Sequence, residues 1–136
     1  MAANALVDAG FLVALLTRGD NNHRWAVTAS PRLPPPWKTC EAVLSEAFHL
    51  LGVTGRPALI ALLERHSVVS AFNLADEMIE VLKLMQKYAD TPMSLADACL
   101  VRMTETLTQP ILLTTDDDFR VYRRHGRRTI PCIGPR

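Results

Sequence analysis

The sequence has few cysteines, and they do not form a pattern that would cross-link a small fold or bind zinc. Cys40, Cys99 and Cys132 lie far apart, without a Cys-x-x-Cys pair or a histidine at zinc-finger spacing. This excludes a disulfide-rich secreted scaffold and a zinc finger. We expect three reduced thiols, packed as small apolar side chains, in a cytoplasmic protein.

Long apolar runs and a strong excess of one charge are also missing. No stretch of about 18 apolar residues occurs, and no basic segment near the first residue leads into one. We therefore expect neither a membrane span nor an export signal. The net charge of +1 neither requires nor excludes a nucleic acid as partner.

The composition and patterning are typical of one globular α/β domain covering residues 1–136. Of the residues, 49% are apolar and 21% charged, as in ordinary soluble folds. Short apolar runs predict strands at 5–7, 67–73, 110–115 and 129–133, and a proline-rich connector at 31–40 leads into a further short strand. Helical patterns lie at 10–19, 20–30, 41–53, 56–66, 74–90 and 91–107. This alternation predicts a mostly parallel sheet covered by helices.

Aspartates directly follow two of the predicted strands. Asp8 comes after "ALV" and Asp116 after "ILLTT". In parallel α/β sheets, functional sites form beyond the carboxyl ends of the strands, and right-handed crossovers place those ends on one edge. Each acid could instead cap the helix that follows, a role that contributes about 1 kcal/mol. Both interpretations stay open for either residue taken alone.

Two more acids lie in predicted helices and are candidates for a functional role. Glu46 falls in the middle of the predicted helix 41–53, at the margin of its apolar face, so its carboxylate reaches either water or a cleft. Asp97 completes a capping box with Ser94. A further acid, Asp90, precedes the same helix, and two acids around one helix start are more than a cap requires.

Four ionised carboxylates gathered in one partly desolvated pocket repel one another by several kcal/mol. A hard divalent cation removes that repulsion, because Mg²⁺ and Mn²⁺ both take oxygen ligands. If Asp8, Glu46, Asp97 and Asp116 converge, the sequence therefore predicts a metal site.

Taken in chain order, these motifs resemble PIN-domain ribonucleases. The segments "LVDAGFLVALL", "AVLSEA", "LADA" and "LLTTDDDF" occur in the order and at the separations of that family, from Asp8 to Phe119. More narrowly, the chain resembles VapC-type toxins of bacterial toxin–antitoxin pairs. The resemblance implies a three-layer α/β/α fold, Mg²⁺- or Mn²⁺-dependent hydrolysis of RNA such as tRNA or rRNA, a homodimer and a VapB-type antitoxin.

The resemblance also assigns roles to individual residues. It makes Asp8, Asp97 and Asp116 metal ligands, with Glu46, preferred over Glu41, holding a water on the ion or a second ion. Asp118 and, more weakly, Asp90 become accessory acids. The chain departs from the family at Gly10, where a Ser or Thr is frequent.

A basic segment, residues 119–128, follows the last acidic motif. We expect Arg120, Arg123 and Arg124 to bind RNA phosphates, with Tyr122 as a stacking ring. A solvated C-terminal face explains the same residues without RNA.

Two other functions would require different residues from this sequence. A metal-dependent phosphatase of the haloacid dehalogenase type needs Asp-x-Asp after the first strand, where this chain has Gly10. A non-catalytic binding module with a PIN-like fold needs none of the acids, and all four are present.

Overall fold

The computed structural model describes residues 3–135, which fold around a central parallel sheet. The strands are β1 (Asn4–Val7), β2 (Trp37–Thr39), β3 (Val68–Ser70), β4 (Pro110–Leu113), β5 (Arg123–Arg124), β6 (Arg128–Thr129) and β7 (Cys132–Ile133). The helices are α1 (Ala9–Leu16), α2 (His23–Ala29), α3 (Glu41–Glu64), α4 (Leu74–Lys87) and α5 (Leu95–Thr106). Short 3-10 turns lie at Ser30–Arg32 and Asp117–Arg120.

Five strands form the sheet in the order β3-β2-β1-β4-β7, and every neighbouring pair is parallel. Strand β1 occupies the centre, where Val7 stands opposite Leu113 of β4. The Asp8 N–H continues the pairing by donating to the Leu113 carbonyl at 3.3 Å. Helices flank the sheet, so the predicted α/β/α fold with a parallel sheet is confirmed.

The core gathers around the first helix. Helix α1 packs against α2 and α3, and α5 packs against α3 and α4. Phe11 of α1 is fully buried and meets Trp25 and Trp37 edge-on, with ring centroids 5.8 and 5.5 Å away. Such edge-to-face pairs add about 1 kcal/mol to the burial of the rings. Helix α1 and its leading residue Asp8 are thereby fixed against the sheet.

Helix α3 joins two predicted helices into one element with a kink. At Gly52 the backbone has φ +66°, a conformation that glycine adopts without strain, and the helix then continues through Pro57. By length and composition α3 could cross a membrane. It carries Glu46 and Arg56, however, and buries Val43 among its core-facing residues, as expected of a helix in a globular fold.

The predicted closing strand at 129–133 was wrong in its extent. Thr129 belongs to β6, which pairs antiparallel with β5 in a separate two-stranded hairpin. Only Cys132 and Ile133 join the main sheet. Pro131 separates the two strands, and its lack of an N–H prevents a continuous ladder.

Candidate acidic site

Asp8 lies between the end of the central strand β1 and the start of helix α1. Asp8 is only 6% exposed. Its Oδ1 accepts a hydrogen bond from the Phe11 N–H at 2.7 Å, and this bond caps α1. Its second oxygen, Oδ2, accepts a hydrogen bond from the Thr114 hydroxyl. The capping role predicted as an alternative is therefore real, and it uses one of the two carboxylate oxygens.

The chain after β4 places the second aspartate. Thr114 is 3% exposed, and its hydroxyl accepts the Asp116 N–H at 2.9 Å while donating to Asp8. Asp116 in turn caps the 3-10 turn Asp117–Arg120, since its Oδ1 accepts the Asp118 N–H at 2.9 Å. Asp8 and Asp116 thus stand on the same edge of the sheet, as predicted.

Asp97 reaches the same region from the start of α5. The predicted capping box is present: the Asp97 N–H donates to Ser94 Oγ and the Ser94 N–H donates to Asp97 Oδ2, both at 3.1 Å. Helix α3 packs beside α5 and supplies Glu46, whose negative charge raises the pKa of Asp97. Asp97 therefore caps α5 and also lies at the cleft.

The four carboxylates line one cleft of about 190 Å³. Its wall consists of Asp8, Ala9, Gly10, Val43, Glu46, Ala96, Asp97, Leu100, Thr115 and Asp116. Glu46 stands exposed, whereas Asp97 and Asp116 are half-buried and Asp8 is buried. The sequence placed these four acids far apart, and the fold brings all of them to this cleft.

Burial and mutual repulsion disfavour the ionised carboxylates. Burial raises the pKa of Asp8 to about 7, the charges of Asp116 and Asp97 act in the same direction, and hydrogen bonds from Thr114 and Phe11 oppose them. Burial is also the main cause that raises the pKa of Asp97, with Glu46 and Asp118 adding to it. For Asp116, burial raises the pKa and the carboxylates of Asp118, Asp97 and Asp117 contribute.

The donor set fits a hard divalent cation. Among the residues 3–135 that the structure describes, the cleft wall contains no Lys, Arg or His to neutralise the four carboxylates. Within that range, no three His, Cys, Asp or Glu side chains already form a compact metal-binding cluster. Side-chain rotation within the cleft would therefore have to accompany ion binding. Oxygen donors around a half-open cleft suit Mg²⁺, which retains several waters.

The two predicted accessory acids lie at different distances from the cleft. Asp118 lies close enough to raise the pKa of both Asp97 and Asp116. Asp90 is exposed in the turn after α4 and is not part of the cleft wall. The geometry supports an accessory position for Asp118 and gives none to Asp90.

The basic segment is less available than the sequence indicated. Arg124 donates from Nε and Nη2 to the Thr104 carbonyl, and Arg123 Nη1 donates to the carbonyls of residues 120–122. Arg120 is exposed and lines a small pocket beside Asp116. Arg123 and Arg124 hold the chain in place, and Arg120 is exposed beside Asp116.

The expectation that Tyr122 is a stacking ring was wrong. Tyr122 is fully buried, packs edge-on against Phe119 and Tyr88, and donates its hydroxyl to the Pro92 carbonyl. Burial raises its pKa, and the charge of Asp97 adds to the effect. Tyr122 therefore lies beneath the acidic site and supports the start of α5.

A PIN domain family model matches residues 5–124 of the chain. The chain belongs to the PIN domain family. Its fold is similar to that of VapC20 from Mycobacterium tuberculosis, described as a sarcin-ricin loop cleaving toxin, with a TM-score of 0.77 at 23% identity. That match covers 86% of this chain and 93% of VapC20.

A second solved structure is less similar. PAE2754 from Pyrobaculum aerophilum matches with a TM-score of 0.51 at 23% identity, over 87% of this chain and 84% of that protein. No curated protein sequence matches this PIN domain. The structural similarities establish a shared fold.

Proposed function

We propose that this PIN domain is a metal-dependent endoribonuclease that acts as the toxin of a type II toxin–antitoxin pair. The observation that carries the proposal is the convergence of Asp8, Glu46, Asp97 and Asp116 on one cleft whose described wall holds no cationic side chain. PIN-domain membership supports nuclease chemistry. The fold shared with VapC20 supports a toxin role.

Each acid has a distinct task in this proposal. Asp8, Asp97 and Asp116 would bind Mg²⁺ or Mn²⁺, and Asp8 is the most firmly positioned because hydrogen bonds hold both of its oxygens. A bound ion supplies Lewis-acid stabilisation of the phosphodiester and lowers the pKa of a water nucleophile. Glu46, exposed at the rim, would accept a hydrogen bond or a proton from a water nucleophile.

RNA also needs cationic contacts outside the acidic cleft. We assign the nearest phosphate contact to Arg120, which is exposed beside Asp116. Arg127 and Arg128 are exposed on the β5–β6 hairpin and extend the basic surface. Arg123 and Arg124 would contribute mainly by holding this surface in position.

Partners are proposed from the exposed apolar surface of helix α3. Exposed apolar residues of α3, with Val53 77% and Leu50 56% exposed, offer a surface for a second copy or for a VapB-type antitoxin. The similarity to VapC20 makes the sarcin–ricin loop one RNA to test, besides tRNA. A reaction on these RNAs takes place in the cytoplasm.

The test is cleavage of tRNA, rRNA and a sarcin–ricin loop hairpin in the presence of Mg²⁺, Mn²⁺ or EDTA. We expect cleavage with either metal, none with EDTA, and a loss of at least about 100-fold in Asp8→Asn and Asp97→Asn. Asp76→Asn, at an exposed acid of α4 away from the cleft, is the matched control. Cleavage that persists in EDTA or survives both substitutions would contradict the proposal.

Growth arrest separates the nuclease from a non-catalytic binding module. Expression of the wild type should arrest growth, and Asp8→Asn should relieve the arrest. Arrest that both cleft substitutions leave unchanged would favour the binding module and overturn the catalytic role.

A further inference from the structure

Gly10 faces a position in the acidic cleft that another residue already fills. A Cβ atom added to Gly10 would overlap the hydroxyl oxygen of Thr115 and would lie 3.6 Å from Asp8 Oδ1. Gly10 and Thr115 both belong to the cleft wall, one after β1 and the other after β4. The Thr115 hydroxyl therefore occupies the place that a side chain at residue 10 would take.

The two neighbouring threonines serve different purposes. Thr114 is buried, and its hydroxyl is committed to Asp8 and to the Asp116 N–H. Thr115 is half-buried, and within residues 3–135 its hydroxyl has no hydrogen-bond partner in the protein. A polar group in the wall of an acidic cleft, left without a protein partner, remains available to a ligand or to ordered water.

We propose that Thr115 is a positioning residue for the divalent ion, and that its Oγ1, in the place that a side chain at residue 10 would take, hydrogen-bonds to a water ligand of the ion. The inference rests on the proposed metal-dependent function and adds a residue to it. Mg²⁺ and Mn²⁺ keep several waters when few carboxylates bind them, and these waters need partners. Outer partners of this kind change metal affinity by about 10- to 100-fold.

The geometry makes residues 10 and 115 an exclusive pair. With threonine at 115, a side chain at 10 overlaps Oγ1, so Gly10→Ser alone is expected to distort the cleft. With alanine at 115, the overlapping oxygen is gone and a serine at 10 can supply a hydroxyl close to the same place. The double variant Gly10→Ser/Thr115→Ala therefore removes the hydroxyl at residue 115, after β4, and adds one at residue 10, in the first turn of α1.

Mn²⁺ affinity, measured by isothermal titration calorimetry without RNA, tests the inference independently of catalysis. We expect Thr115→Val, which keeps the shape and removes the hydroxyl, to weaken Mn²⁺ binding about 10-fold. Thr115→Ser should stay within about 2-fold of the wild type, and the double variant within about 3-fold. Thr54→Val, at an exposed position of α3, controls for the substitution itself.

The outcomes separate this inference from the proposed function. If Asp8→Asn abolishes Mn²⁺ binding while Thr115→Val binds like the wild type, the role of Thr115 is wrong and the metal site stands. If the wild type itself does not bind Mn²⁺, the proposed function fails as well. Thermal unfolding in EDTA checks the fold: Thr115→Val should match the wild type, whereas Gly10→Ser should unfold at a lower temperature.

Discussion

Thr114 donates its hydroxyl to Asp8 Oδ2 and so links the ends of two adjacent parallel strands. The Thr114 hydroxyl oxygen also accepts the N–H of Asp116, which fixes the backbone that carries the second carboxylate. One buried threonine thus sets the spacing between two acids of the cleft. Because this link is polar and buried, it is expected to matter for stability as well as for metal binding.

Thr114→Val should destabilise the protein. It leaves the Asp116 N–H without its acceptor and removes a hydrogen bond to Asp8, for an expected loss of about 1–3 kcal/mol in the free energy of unfolding. Urea unfolding in EDTA measures this loss, and Thr114→Ser, which keeps the hydroxyl, is the control. Equal stability of the valine variant and the wild type would show that the link contributes nothing.

Asp8 should make the metal-free protein less stable as the pH rises. Burial raises its pKa to about 7 in the folded state, whereas the unfolded chain has the ordinary value of 3.8. The folded state thus binds more protons between these values, and the free energy of unfolding falls as the pH rises through that window. Each unit of raised pKa corresponds to about 1.4 kcal/mol.

The Asp8→Asn variant isolates the contribution of the Asp8 carboxyl to the pH dependence of stability. In EDTA the stability of the variant relative to the wild type should rise by about 1.4 kcal/mol per pH unit between about pH 4 and pH 7, and it should level off above pH 7. Urea unfolding across the pH range measures both. A difference that does not depend on pH would contradict a buried Asp8 that is protonated near neutrality.

Glu46→Gln should impair cleavage without affecting the fold. The side chain is exposed at the rim of the cleft, so we expect a change in stability of less than about 0.5 kcal/mol. Loss of a group that accepts a proton from the nucleophile should lower the cleavage rate about 100-fold. Glu41→Gln, at the exposed first turn of the same helix, should cleave normally. Equal rates for both variants would remove Glu46 from the mechanism.

The arginines of the basic segment should divide into two groups. Arg124→Ala removes the bonds to the Thr104 carbonyl and should lower the free energy of unfolding by about 1.5–3 kcal/mol. Arg120→Ala should weaken RNA binding and reduce its salt slope by about 1. Binding is measured on an Asp8→Asn background to prevent cleavage, with exposed Arg65→Ala as control. Unchanged RNA affinity in Arg120→Ala would contradict its assignment.

The architecture and the acidic edge of the sheet were predictable because they follow from local patterns. Short apolar runs followed directly by Asp8 and Asp116 indicated parallel strands ending at one edge, and β1 and β4 are paired in that way. The position of Glu46 at the margin of an apolar helix face left water and a cleft open, and the structure has Glu46 in the cleft wall, where it remains exposed. Asp97 carried both a cap and a cleft signal, and both are present.

Contacts between distant segments were not predictable in the same way. The roles of Thr114 and Thr115 depend on Asp8 and Gly10, more than 100 positions earlier in the chain, and no local pattern marks them. Tyr122 stands in a run of arginines, which gave no indication that its ring is buried. Its role depends on contacts with Tyr88, Phe119 and the Pro92 carbonyl, which the neighbouring residues in the sequence do not reveal.

Diffraction from crystals soaked in Mn²⁺ tests most directly whether the four carboxylates hold a divalent ion. An anomalous difference map should show a peak inside the cleft, with carboxylate oxygens of Asp8 and of Asp97 or Asp116 at about 2.1 Å from it. Asp8→Asn crystals soaked in the same way should lack the peak. Saturating Mn²⁺ that leaves the cleft without a peak, or binds only elsewhere, would contradict the metal site and the nuclease mechanism built on it.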